Sequence, residues 1–110
     1  MNNAKEFINR EQNLFIHFFV SFIVIVFSFL FKISIIEWCF VLLSITFVIV
    51  SELINSAIER VTDIYMVKYN INAKIAKDTA AGAVLVSAIL SVIIGIIVFL
   101  PKIILIWEAL

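Results

Sequence analysis

Three unbroken apolar runs, at about 14–31, 35–57 and 80–100, are each long enough to cross a membrane. A hydrocarbon core of roughly 30 Å takes about 20 helical residues. Backbone in lipid must satisfy its own hydrogen bonds, so a spanning segment is a helix or part of a closed barrel. Barrel strands alternate apolar and polar residues, whereas these runs are continuous, which selects helices. The chain is 65% hydrophobic over 110 residues, where soluble domains lie near about 45–50%. It is too short for a separate soluble domain of ordinary size, so residues 1–110 are expected to form one membrane domain. The fold class expected is all-α, with three transmembrane helices per subunit after a short N-terminal surface segment.

Leu14–Phe31 is too long for a signal-peptide core and no small-x-small cleavage site follows it, so it reads as a permanent span. Lys5 and Arg10 precede it, and Arg60, Lys68, Lys74 and Lys77 lie between the second and third runs, while Lys32 and Lys102 lie on the other side. Basic residues favour the cytoplasm. This places the N-terminus and a loop at about 59–79 inside and the C-terminus outside. Trp38 and Trp107 fall near the outer face, as an aromatic belt or as packing residues. Eight basic and eight acidic residues cancel, so no global charge argues for nucleic acid. Cys39, the one cysteine, sits in an apolar run and reads as a packing residue.

The second run carries a polar stripe. At about 100° per residue, Glu52, Asn55, Glu59 and Asp63 fall within roughly 80° of one another. An ionisable group at mid-membrane depth costs about 2.5–3.5 kcal/mol even on a lenient insertion scale. Glu52 is the deepest acid. It reads either as a structural carboxyl bonded to Asn55 or a neighbouring helix, or as a proton acceptor or ion ligand in a water-accessible pocket. Glu59 reads as an interfacial acid or as a cation ligand, since Mg²⁺ prefers carboxylate oxygen and few protein ligands. Asn55 between them can orient either acid, and Asp63 is a more exposed helix-end acid. Three spans make a thin bundle, too thin to shield Glu52, Asn55 and Glu59 from lipid unaided, so a homo-oligomer is expected.

Outside the stripe the signals are weaker. Glu11 alone is an ordinary juxtamembrane charge, and His17 reads as a hydrogen-bonded interfacial residue rather than a ligand. Lys74, Lys77 and Asp78 share a helical face. Lys74 suits anchoring, whereas Lys77 with Asp78 could grip phosphate and a nucleotide. Ala83, Ser87, Ser91 and Gly95 recur every four residues, a spacing that lets helices approach closely.

Glu52-Leu-Ile-Asn-Ser-Ala-Ile-Glu59 with Asp63, then Ala73-Lys-Ile-Ala-Lys-Asp78 and Ala80-Ala-Gly-Ala-Val-Leu85, resembles the small prokaryotic diacylglycerol kinase family. With Arg10-Glu-Gln-Asn-Leu-Phe-Ile-His17 upstream, it looks most like the Gram-positive branch that phosphorylates undecaprenol. The resemblance covers about residue 9 to residue 102. It implies a homotrimer in the bacterial cytoplasmic membrane, with composite sites that move the ATP γ-phosphoryl group to a lipid hydroxyl. By the same resemblance Glu52 would be the general base at the lipid substrate. Glu11 and Glu59 would hold Mg²⁺ on the ATP phosphates, Lys77 would meet phosphate and Asp78 the nucleotide. Asn55 and Asp63 would support the pocket, and Lys68, Tyr69 and Asn70 fall where the family touches nucleotide. Where the family has an amphipathic surface helix, Met1–Ile8 stands here. ATP recognition rests on the resemblance, because the chain has no glycine-rich phosphate loop.

Three other readings compete. Diacylglycerol is the runner-up acceptor. A small proton-coupled transporter would also use an embedded glutamate, although such exporters usually have four spans with the acid in the first. A non-catalytic membrane subunit would need none of this chemistry.

Overall fold

The computed structural model describes residues 4–5, 11–65 and 70–110. Three long helices make up most of it: α1 (Gln12–Leu30), α2 (Ile35–Tyr65) and α3 (Ile71–Ala109). All three are long and apolar enough to cross a membrane. Many of their residues are Ile and Val, which are mediocre helix formers in water. In lipid the demand for internal backbone bonding outweighs that preference. Pro101 lies inside α3, and the helix continues through it to Ala109. The stretch 59–79, expected as a loop, is helical at both ends, since α2 runs to Tyr65 and α3 starts at Ile71. Most of Met1–Ile8, the expected surface segment, lies outside the described residues.

The α1–α2 connection is four residues long and each has a local reason for its conformation. Ile33 N–H donates to the Ser28 carbonyl (3.3 Å) and Lys32 N–H to that of Phe29 (3.2 Å). This is a Schellman end, with Lys32 in the left-handed region at φ 52°. Ser34 then starts α2 through a capping box. The Ser34 amide donates to Glu37 Oε1 (2.9 Å) and the Glu37 amide to Ser34 Oγ (3.2 Å). At the other end of the bundle, Asn70 Oδ1 accepts from the amides of Asn72 (2.8 Å) and Ala73 (3.4 Å) and so caps α3.

The apolar core sits near the tight turn. Ile33, Val41 and Val98 are buried there, packed by Val24, Phe31, Trp38, Ile45, Ile94 and Phe99. Trp38 meets Phe29 edge-on at 4.8 Å, and Phe31 meets Phe99 at 5.8 Å. Lys102 Nζ donates to Glu37 Oε2 at 2.7 Å, tying α3 to the start of α2. Most other large apolar side chains point outward, as they do where lipid is the solvent. From Glu37 to Glu59 the rise along α2 is about 33 Å, close to the roughly 30 Å of a hydrocarbon core. Glu52 is the only charge on α2 between them.

The turn yields a stability test. Ser34→Ala should lower unfolding free energy by about 1 kcal/mol through loss of the cap. Lys32→Gly should raise it by about 1 kcal/mol, because glycine adopts positive φ without a Cβ penalty. Thermal unfolding in detergent micelles reads both. Equal midpoints for wild type and Ser34→Ala would contradict the capping account.

Candidate functional site

The polar stripe of α2 turns inward at the seam with α1. Glu52 is 5% exposed and Asn55 8%, while Glu59 is half-buried and Asp63 more open. One chain therefore shields Glu52 and Asn55 by itself and leaves Glu59 partly open, so the expectation that three spans are too few fails for the first two residues. The reason is α1, which lies over this face and meets it with polar atoms of its own.

Glu11 precedes α1 and makes no side-chain cap hydrogen bond there. Its carboxylate reaches across to α2 instead. Oε2 accepts from Ser56 Oγ at 2.5 Å, and Oε1 from Arg60 Nε (3.2 Å) and Nη2 (2.9 Å). Burial is uneven, with the Glu11 side chain 6% exposed and that of Arg60 40%. Deeper in the seam, His17 Nε2 lies 3.8 Å from Glu52 Oε2. Asn55 Nδ2 points at Glu59 Oε1 at 3.5 Å, the outer limit of a hydrogen bond. Asn55 Oδ1 is buried without a partner, an open acceptor of the kind that native interiors rarely leave.

The remaining candidate residues cluster at the same end but on the α2–α3 side. Lys77 Nζ bonds Asp63 Oδ1 at 2.6 Å, which brings Lys77 onto the acid stripe. Asp78 does not join it, because its carboxylate takes Lys74 Nζ at 2.7 Å on its own helix. Asn70 is spent on the α3 cap. Lys68 and Tyr69 lie outside the described residues.

An apolar cavity of about 260 Å³ opens between the three helices. Its lining starts at His17 and includes Val24, Val48, Ser91 and Gly95. A Cβ built on Gly95 meets nothing within 4 Å. Within one chain Gly95 therefore leaves room here, and the close approach expected of that small-residue stripe is not made at this position.

Among the described residues no three His, Cys, Asp or Glu side chains group as a metal site. Mg²⁺ does not need such a cage, since it usually takes one or two carboxylates plus phosphate oxygen. Glu59 and the unpartnered Asn55 Oδ1 supply hard oxygen of that kind. The donor set fits Mg²⁺ on its chemistry, with Glu11 already engaged by Arg60 and Ser56.

Three residues gain importance that sequence reasoning did not give them: His17, Ser56 and Arg60. Ser56 and Arg60 follow Glu52 at steps of four, so the stripe extends along a second edge that the pattern already contained. Nothing in the pattern pairs His17 with Glu52.

A three-helix membrane protein with a buried carboxylate leading to a more open acid row at one end, near an apolar cavity, has a layout that suits an enzyme acting on a lipid. The chain belongs to the prokaryotic diacylglycerol kinase family, whose family model matches residues 1–99, and its class is that of membrane lipid kinases. It is 45% identical to an undecaprenol kinase of Bacillus subtilis over 92 residues, covering 84% of this chain and 75% of that protein. It is 40% identical to a diacylglycerol kinase of Synechocystis sp. over 92 residues, covering 83% of this chain and 53% of that protein. No solved structure gives a significant match.

The Glu11–Arg60 contact can be tested by stability. Arg60→Ala should cost about 1–2 kcal/mol, because it strips a charge-assisted donor pair from a buried carboxylate. Arg60→Ala with Glu11→Gln should recover part of that loss. Thermal unfolding in micelles reads the cycle, and strictly additive losses would show that the two side chains do not interact.

Proposed function

We propose that the chain moves the γ-phosphoryl group of ATP to the hydroxyl of a membrane-held alcohol, with undecaprenol as acceptor and diacylglycerol as runner-up. The observation that carries this is the seat of Glu52: buried, on the stripe that holds Asn55 and Glu59, and 3.8 Å from His17, which lines the apolar cavity. Similarity to an undecaprenol kinase over most of the chain supports the choice of acceptor.

Phosphoryl transfer needs an alcohol placed in line, compensation of phosphate charge, and a group to take the hydroxyl proton. Glu52 takes that proton, which is general-base work for a positioned carboxylate. Glu52 lies about 10 Å below Glu59 along the helix axis, so the base is deeper than the groups serving the phosphates. Asn55 orients the acids on either side of it. Glu59, with Glu11 once released from Arg60 and Ser56, would hold Mg²⁺, whose charge would offset that of the phosphates. Lys77 meets phosphate, with Asp63 holding its ammonium in place. Asp78 and residues 68–70 serve the nucleotide, and engagement of Asp78 requires release from Lys74.

Arg60, Lys74 and Lys77 at this end support a cytoplasmic site, with the N-terminus inside and the C-terminus outside. A homotrimer with sites completed between subunits is part of the proposal. The resemblance supports it, whereas shielding of Glu52 and Asn55 does not require it.

The test is purified full-length chain in mixed micelles with γ-labelled ATP and Mg²⁺, offered each lipid in turn. Label should enter undecaprenol faster than diacylglycerol, and label in neither would overturn the proposal. Glu52→Gln should lose about 100-fold or more of kcat while its oligomeric state is unchanged.

The cavity predicts a separate kinetic signature. Gly95→Leu should raise the apparent KM for the lipid several-fold, as filled space competes with the chain, and leave that for ATP within two-fold. Steady-state kinetics in each substrate decide this, and a rise in the ATP value alone would remove the cavity from the lipid path.

A further inference from the structure

We propose that His17 is the proton partner of Glu52, a positioning residue that accepts the proton Glu52 has taken from the substrate hydroxyl and passes it to water. The proposal rests on the reading of Glu52 as the base.

A base in a closed seam has a disposal problem. The Glu52 side chain is 7% exposed, and after one transfer its carboxyl holds a proton that must leave before the next turnover. The neighbours offer few exits. From α2, Asn55 and Ser56 do not titrate. On α1, Glu11 lies further along, already accepting from Ser56 and Arg60. From α3, the cavity lining contributes Ala88, Ser91, Val92, Ile94, Gly95 and Phe99, none of them titratable. Among the described residues, His17 is the basic group within 4 Å of Glu52.

His17 also has the right two-sidedness. Its Nε2 faces Glu52 Oε2 at 3.8 Å, while 26% of its side chain remains exposed. Ser21 Oγ donates to the His17 backbone carbonyl at 2.6 Å and leaves the ring itself unengaged. A separation of 3.8 Å exceeds the roughly 2.7–3.2 Å of an N–H···O bond. The two groups are thus near neighbours rather than bonded. The ring also stands at the head of the apolar cavity, where an alcohol whose chain occupies that space would bring its hydroxyl.

The step balances. The alcohol O–H bond breaks and its proton goes to the Glu52 carboxylate. The alcohol oxygen bonds to the γ-phosphorus of ATP as the bond from that phosphorus to the bridging oxygen breaks, releasing ADP. The Glu52 carboxyl then gives its proton to the lone pair on neutral His17 Nε2, and the imidazolium gives it to water. Phosphate ester, ADP and one proton are the products.

The experiment compares His17→Ala, His17→Gln and Glu52→Gln with wild type as full-length chain in mixed micelles, each with and without added imidazole. His17→Ala and His17→Gln should lose about 10-fold or more of kcat, within the range of general acid–base effects, with KM for ATP and for lipid within two-fold. Imidazole should restore His17→Ala several-fold and do nothing for His17→Gln, whose side chain fills the space but cannot relay a proton. A merely structural histidine would not respond to imidazole. Retention by His17→Gln of more than half the wild-type kcat would overturn the proposal, as would failure of imidazole to restore a folded His17→Ala. With Glu52→Gln inactive, either result sinks the His17 assignment and leaves the base standing. Glu52→Gln at wild-type rate removes the base itself and the His17 proposal with it.

Discussion

A carboxyl group at membrane depth must be enclosed by protein, and the placement of α1 over Glu52 meets that requirement here. Without α1 the stripe of α2 would face acyl chains, at about 2.5–3.5 kcal/mol for each ionisable group near mid-depth. With α1 in place, Glu52 and Asn55 are nearly inaccessible within a single chain. The covering helix brings polar matches of its own, Glu11 toward Ser56 and Arg60 and His17 toward Glu52. These contacts demand one register between α1 and α2. The four-residue turn supplies it from the far end. Glu11 lies about 30 Å before Phe31 and Ser56 about 33 Å after Ser34 along their axes, so the two meet when the hairpin closes tightly. A longer or looser connection would let α1 slide, and the acid at position 11 would lose its partners.

The architecture is anchored at one end and chemically equipped at the other. Aromatic packing, the Schellman end, the capping box and the Glu37–Lys102 pair all gather around the tight turn. The opposite end is held by ion pairs: Glu11–Arg60, Asp63–Lys77 and Lys74–Asp78. The latter two are substantially exposed and contribute little to stability at that exposure. On the proposed reading, their lysines would exchange carboxylate for phosphate when a nucleotide arrives. Division of labour between a packed scaffold and a polar end is common where recognition must precede chemistry.

Much of this was legible in the sequence, for identifiable reasons. The three spans follow from hydropathy and length alone, and the acid stripe follows from helical angle. The stripe fixes only an azimuth on α2, however. Which neighbour faces that azimuth depends on how the helices pack, which a single sequence does not record. That is why a homo-oligomer looked necessary to cover Glu52, when α1 of the same chain covers it. Arg60 was hidden differently. The charge bias that orients membrane proteins accounts for a basic residue at that position without a partner. Lys74–Asp78 shows the converse, since a pair at i and i+4 was readable and competes with the nucleotide role that resemblance gives Asp78. His17 carried no local signal, because its partner is 35 positions away on another helix.

The cavity adds a physical argument about the acceptor that similarity alone does not. Its lining is largely hydrocarbon, and of its three serines, Ser21, Ser44 and Ser91, the first and last turn their hydroxyls to their own helices. Ser21 Oγ bonds the His17 carbonyl and Ser91 Oγ that of Ala88. Serines bonded in this way offer little to a ligand. A diacylglycerol would bring two ester groups close to its hydroxyl, and burying them without donors is costly. A polyprenol brings one hydroxyl on an otherwise apolar chain. Its single polar group would meet His17 and Glu52 at the head of the cavity, and every atom behind it would match the walls. If the acceptor's chain occupies this cavity, as proposed, the lining would favour a polyprenol. The discrimination would then come less from added contacts to the favoured lipid than from the few partners, Ser44 and His17, that the walls offer the other's esters.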